Sequence, residues 1–260
     1  MRRFRPTFGG WLLALAAAAF ALLAAAPARA DRMALWTIVH EQCVPHARAG
    51  EGPNPCESVD LSQGEARGVA LLKDRNGVAQ FLAIPTGRVA GIEDPLVLAP
   101  DAPNYFAFAW GARSAVEARL GHTLPREAVG VAVNSEFART QDQLHLHVDC
   151  LAADVVAALG AYKDALDDQW RVMTVALAGR RYWARRLDSV DLSDAAPFRL
   201  LADGLAGAKG HMGLETLVAV GATFAGKPGF ILLADHAELA AGGHGEDLQD
   251  HDCAVARLAP

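Results

Sequence analysis

Residues 141–151 read QDQLHLHVDCL, and polar and apolar side chains alternate through the stretch. Gln143, His145, His147 and Asp149 fall on one side, and Leu144, Leu146, Val148 and Cys150 on the other. A strand turns successive side chains to opposite faces. The stretch therefore predicts a strand with two histidines side by side above a buried sheet, an amide and a carboxylate in line with them. Four consecutive outward positions given to groups that titrate, coordinate or hydrogen-bond mark this strand as the candidate site.

Working outward, Ala128–Val133 predicts the preceding strand, and Asn134–Thr140 a polar connection long enough to be a binding loop. Pro103–Leu120 has helical spacing, with Asp101 or Asn104 as cap and an aromatic set (Tyr105, Phe106, Trp110) read as core. Gly68–Leu72 and Val78–Ile84 predict a hairpin across Asp74-Arg75-Asn76-Gly77, with Pro85 ending the second strand. Before it, Met33–Gln42 predicts a short helix and residues 44–66, with three prolines, a loop. Beyond the histidines come a helix over Asp154–Trp170 and a strand within 171–187 beside Arg180, Arg181, Arg185 and Arg186. A short helix over Pro197–Leu205 follows, then a second hairpin of Gly213–Gly221 and Phe230–Ala234 across Ala225–Gly229, and the polar tail GGHGEDLQDHDC. The fold class is α+β: an antiparallel sheet with flanking helices and a second, smaller hairpin-plus-helix half.

The first thirty residues are of another kind. Arg2, Arg3 and Arg5 precede an apolar run, Trp11–Ala26, and Ala28-Arg29-Ala30 ends it. A basic start, an apolar core and a small-x-small end predict a secretory signal peptide or an uncleaved N-terminal membrane anchor over residues 1–30. The arginines then stay in the cytoplasm and residues 31–260 form an exported domain with its core at about 66–152. Without residues 1–30 the chain holds 20 basic and 30 acidic side chains, an acidic balance that argues against nucleic acid. Cys43, Cys56, Cys150 and Cys253 are even in number in an oxidising compartment. They allow three pairings. Cys43 and Cys56 flank a Pro/Gly-rich loop, which favours that pair and leaves Cys150 to hold the tail through Cys253. No CxxC spacing suggests zinc.

Three chemistries suit closely spaced histidines on a strand. One imidazole can attack phosphorus while the next assists, since neutral imidazole is available near physiological pH. Alternatively His145, His147 and Asp149 form the His-x-His-x-Asp set of a metal-dependent hydrolase, or the histidines only hydrogen-bond a nucleotide in a non-catalytic binding protein.

The order of elements, with FLAIPTGRVAGIEDPLVL (81–98) and QLHLHVDC (143–150), resembles the histidine-triad superfamily of nucleotide hydrolases and transferases. Within it, EQCVP (41–45), NPC (54–56), LLKDRNG (71–77), APNYFAFAW (102–110), HMG (211–213) and LQDHDC (248–253) are similar to the family of CDP-diacylglycerol pyrophosphatases. The resemblance covers nearly all of the chain after residue 30. It implies a HIT-like fold and hydrolysis of CDP-diacylglycerol to CMP and phosphatidate in phospholipid metabolism, through a nucleotidyl-histidine and without a cofactor. His145 would be the nucleophile and His147 its assistant, both catalytic. Asn134, Ser135, Arg139, Thr140, Gln141 and Gln143 are the candidate substrate-binding residues, with Arg88 a further candidate to neutralise the pyrophosphate. Gln143 departs from the family pattern, which has a histidine at that first triad position. The implied partners are the lipid substrate, the membrane surface and a second copy of the chain, at the periplasmic side of a bacterial inner membrane.

Overall fold

The structure, a computed structural model, describes residues 31–238 and 242–257. The expected signal or anchor over residues 1–30 lies outside them. Among the described residues no helix is long and apolar enough to cross a membrane.

Nine strands form one antiparallel sheet: β1 (Ser58–Asp60), β2 (Val69–Lys73), β3 (Phe81–Pro85), β4 (Val129–Val133), β5 (Leu146–Cys150), β6 (Arg171–Val172), β7 (Trp183–Leu187), β8 (Glu215–Phe224) and β9 (Lys227–His236). Their spatial order is β1-β2-β3-β5-β4-β8-β9-β7-β6. The α+β class with an antiparallel sheet is thus as expected. The second hairpin does not stand apart: β8 pairs with β4 over Gly130↔Val220 to Val133↔Leu217, continuing the same sheet.

The alternation in β5 holds, but its polar face is not open. All five residues of the strand are buried. Leu144, Leu146 and Val148 face a cluster built on α3 (Tyr105–Gly111), α4 (Arg113–Leu120) and α6 (Pro197–Gly204), where Phe106 and Trp110 pack edge-on to Phe198 and Phe230. On the other face lie two separate apolar pads. One packs α5 (Ala153–Tyr162) on Ala132, Val218 and Leu233; the other packs Val39 and Val44 on Ala70, Leu72, Leu82 and Ile84. The near-continuous apolar runs of β3 and β4 suit strands covered on both sides. His147 is level with Leu82 of one pad and Ala132 of the other, so the polar residues of β5 line the gap between pads. The tail, 242–253, fills that gap. The sequence predicts outward polar positions; the segment that covers them is about a hundred residues away and leaves no mark on the local pattern.

Several boundaries differ. The first helical stretch does not end at Gln42: α1 (Ala34–Ile38) passes through a π-helical turn, Val39–Cys43, into α2 (Val44–Ala49). Pro45 falls in the first turn of α2. The predicted loop therefore begins at Gly50, whose left-handed φ of 73° ends α2, and it is not all loop, because Ser58–Asp60 pairs with β2 as the edge strand β1. The first hairpin forms, but its connection runs from Asp74 to Gln80, closed by Asp74 N–H donating to the Gln80 carbonyl at 3.1 Å. The aromatic helix breaks at Ala112, and Asn104 caps it by accepting from Ala107 N–H at 3.0 Å. The helix after β5 stops at Tyr162 rather than Trp170. The second hairpin is longer than expected, with ten residues in each strand and a two-residue turn, Ala225-Gly226, both at positive φ.

Candidate active site

The two histidines enter the gap from β5 and the stretch just before it, with ring centroids 4.9 Å apart. His145 Nδ1 lies 2.8 Å from the Gln143 carbonyl. A carbonyl only accepts, so Nδ1 carries the proton and Nε2 keeps its lone pair. Among the described residues no hydrogen bond reaches that Nε2. Burial first, then the neighbouring His147, holds the His145 pKa down to about 4, so the ring is neutral at pH 7.

His147 is held from both ends. Gln80 Nε2 donates to its Nδ1 at 3.0 Å, which places the ring proton on Nε2. That Nε2 lies 2.9 Å from Glu246 Oε2, near it but poorly aligned for a hydrogen bond. Burial alone would raise the Glu246 pKa, but His147 and the Asn134 amide outweigh it and hold the carboxyl at about 2. Asn134 is at the end of β4, and continuing the β4–β5 register by two steps sets it opposite His145. Its Nδ2 donates to Glu246 Oε2 at 2.9 Å, and its Oδ1 accepts from Glu246 N–H at 3.3 Å. Ser135 follows, with its N–H donating to the Gly243 carbonyl at 2.8 Å and its Oγ buried without a partner.

The last polar residue on that face of the strand is paired to the tail instead. Asp149 Oδ2 lies 2.8 Å from His251 Nδ1, and its Oδ1 accepts from Cys150 N–H. Burial pushes the Asp149 carboxyl upward, and the His251 and Cys150 contacts offset part of that. The ligating atoms of His145, His147 and Asp149 do not converge as one metal-binding set. Among the described residues only Asp149, Cys150 and Cys253 do, and the two cysteines are joined in a disulfide, which removes their thiolates.

The remaining expected residues are placed differently. Gln143 is wholly buried, and its amide donates to the Pro85 and Gly87 carbonyls at 3.0 and 2.9 Å while accepting from Arg88 Nη1 at 2.9 Å. It ties β5 to the turn after β3. Arg139 makes a two-pronged pair with Glu93 at 2.6 and 2.7 Å, and Arg88 also donates to the Asp142 carbonyl. Gln141 accepts from Leu35 N–H at 3.0 Å, and Thr140 is exposed. The structure thus gathers His145, His147, Asn134 and Ser135, and spends Gln143, Arg139 and Arg88 on holding loops.

Two site residues were missed. Gln80 could have been found from register, because the hairpin sets it beside β5; Glu246 carries no signal beyond its polar tail. That tail is a strap. Gln249 Nε2 donates to the Gly130 and His147 carbonyls at 2.9 and 3.1 Å, and Asp250 N–H donates to the Cys150 carbonyl. The Cys150–Cys253 disulfide fastens its end, and Cys43–Cys56 fastens the first helical stretch, the pairing that the loop composition favoured.

A family model described as CDP-diacylglycerol pyrophosphatase matches residues 30–257. A CDP-diacylglycerol pyrophosphatase from Yersinia pestis is 42% identical to the chain over 224 residues, covering 85% of this chain and 84% of that protein.

Proposed function

The chain belongs to the CDP-diacylglycerol pyrophosphatase family, matched from residue 30 to residue 257, and from that premise we propose that it cleaves CDP-diacylglycerol to CMP and phosphatidate by way of a cytidylyl-histidine. One observation carries the mechanism: the Gln143 carbonyl fixes the proton of His145 on Nδ1, leaving a neutral Nε2 as nucleophile. Nε2 attacks the phosphorus next to cytidine. The phosphoric anhydride bond breaks, and phosphatidate leaves with the electron pair. Water then attacks the same phosphorus and gives up a proton to solvent, the P–N bond breaks with its electron pair going back to Nε2, and CMP departs as the ring returns to its neutral form. His147, with its proton on Nε2, donates to a phosphoryl oxygen as charge shifts onto it. Gln80 is a positioning residue that selects this tautomer.

The same reading assigns the chain to the histidine-triad superfamily, with Gln143 bracing the strand in place of a first triad histidine. It places residues 31–260 as the hydrolase domain on the periplasmic side of the inner membrane, in phospholipid metabolism. Two disulfides support export. An apolar N-terminal run beside a lipid substrate supports attachment to the bilayer.

The test is a trapping experiment on enzyme prepared in chelator. Labelled cytidylate is expected on His145, with release of CMP, and both are expected to vanish in His145→Ala. Persistent turnover in His145→Ala, or activity abolished by chelation and restored by a divalent cation, would overturn the proposal.

A further inference from the structure

The strap does more than cover the site. Its acceptors take the donors that surround His145. Ser135 N–H donates to the Gly243 carbonyl, Asn134 Nδ2 donates to Glu246 Oε2, and His147 Nε2 faces that same oxygen at 2.9 Å. Ser135 Oγ lies unpartnered beneath Gly243, where any Cβ would collide with it. Donors from two strands therefore meet on one anionic oxygen that belongs to neither.

A phosphoryl oxygen has the same requirements as that carboxylate oxygen: negative charge and several lone pairs for N–H and O–H donors. We propose that Glu246 stands in for the substrate's phosphoryl group, so that Asn134 and His147 form the phosphoryl subsite and nucleotide binding displaces the Glu246 side chain. The assignment rests on reading the site as a nucleotidyl-transfer centre. Two anions cannot share one set of donors, and the carboxylate has somewhere to go. Its side chain is 32% exposed. Gly242 and Gly243, at φ of 96° and 72°, lead into the segment, while its far end is fixed at Cys253. The low pKa of Glu246 fits an oxygen seated among donors. It also makes the group a weak proton acceptor, which argues against a role as general base for the attacking water.

The test is calorimetric binding of CMP to the full chain and its Glu246→Gln and Glu246→Ala variants, with thermal melts to establish folding. Both variants are expected to bind CMP at least about fivefold more tightly, which is ~1 kcal/mol, and Asn134→Ala to bind it more weakly. An unchanged or weaker affinity in either Glu246 variant overturns the proposal and points to Glu246 as part of the catalytic machinery. Because CMP binding needs no turnover, the result is separate from the trapping experiment. A failure to label His145 would sink the nucleophile and leave the subsite measurable.

Discussion

A single backbone carbonyl decides what His145 can do. An imidazole in water titrates near 6.5; this one, buried beside another ring, titrates at about 4. The shift has two consequences. If the neutral ring is the nucleophile, the acid limb of kcat/KM is expected near pH 4 to 5 and not near 6.5; a limb at 6.5 would show that a different group sets the rate. Stability follows the same sign. A histidine with a lowered folded pKa stabilises fully above pH 6.5, and that contribution is lost as pH falls towards 4. Glu246, also lowered, adds stability above about 4.5 that is lost towards 2, whereas Asp149, raised by burial, is better tolerated at low pH than at neutral pH. Gln143 sits at the other end of the same carbonyl. Gln143→Ala would leave the Pro85 and Gly87 carbonyls without their donor, at a cost of about 1–3 kcal/mol. Urea denaturation is expected to show that loss, together with a fall in kcat as the carbonyl under His145 drifts.

At the scale of elements, most strands were legible, β1 inside the predicted loop being an exception, and their covers were not. Period-two alternation around His145 and His147, the Asn76-Gly77 turn signal and the apolar runs of β3 and β4 are local, and each led to a strand at the right place. What covers a face is non-local. Glu246 meets Asn134 across 112 residues, and Gln249 reaches Gly130 across 119. No pattern within the tail encodes either contact, so a buried site looked like an open one. The same distance explains Arg139, which reads as a loop cation until Glu93 is brought against it. The disulfide is the exception, because counting cysteines constrains pairs however far apart they lie. It closes a span of 103 residues, for which chain entropy alone gives roughly 4–5 kcal/mol. The Cys150→Ala, Cys253→Ala double variant is expected to lose stability on that scale, seen as a lower denaturant midpoint. A loss below about 1 kcal/mol would mean that the strap's hydrogen bonds to β4 and β5 suffice to hold it.

For the whole molecule, the question is what the residues before Asp31 contribute. Residues Arg32–Pro260 form one compact unit that contains both disulfides, all three apolar clusters and every group placed at the site. The described unit is therefore expected to carry the chemistry by itself. Encounter with the substrate draws on residues 1–30, if those residues hold the enzyme at a bilayer, because tethering replaces a three-dimensional search by a high local concentration of lipid. The two roles separate in one comparison. A chain beginning at Asp31 is expected to fold and to match the full-length enzyme on CDP-diacylglycerol dispersed in detergent. On substrate embedded in vesicles that carry the full-length enzyme, the same truncation is expected to lose about a hundredfold or more in kcat/KM, the lower end of what tethering supplies, with kcat at saturation unchanged. Equal losses in detergent and in vesicles would mean that the leading segment shapes the site itself. No loss in vesicles would mean that the domain finds its lipid unaided, and the anchor would then have to be given up in favour of a cleaved signal.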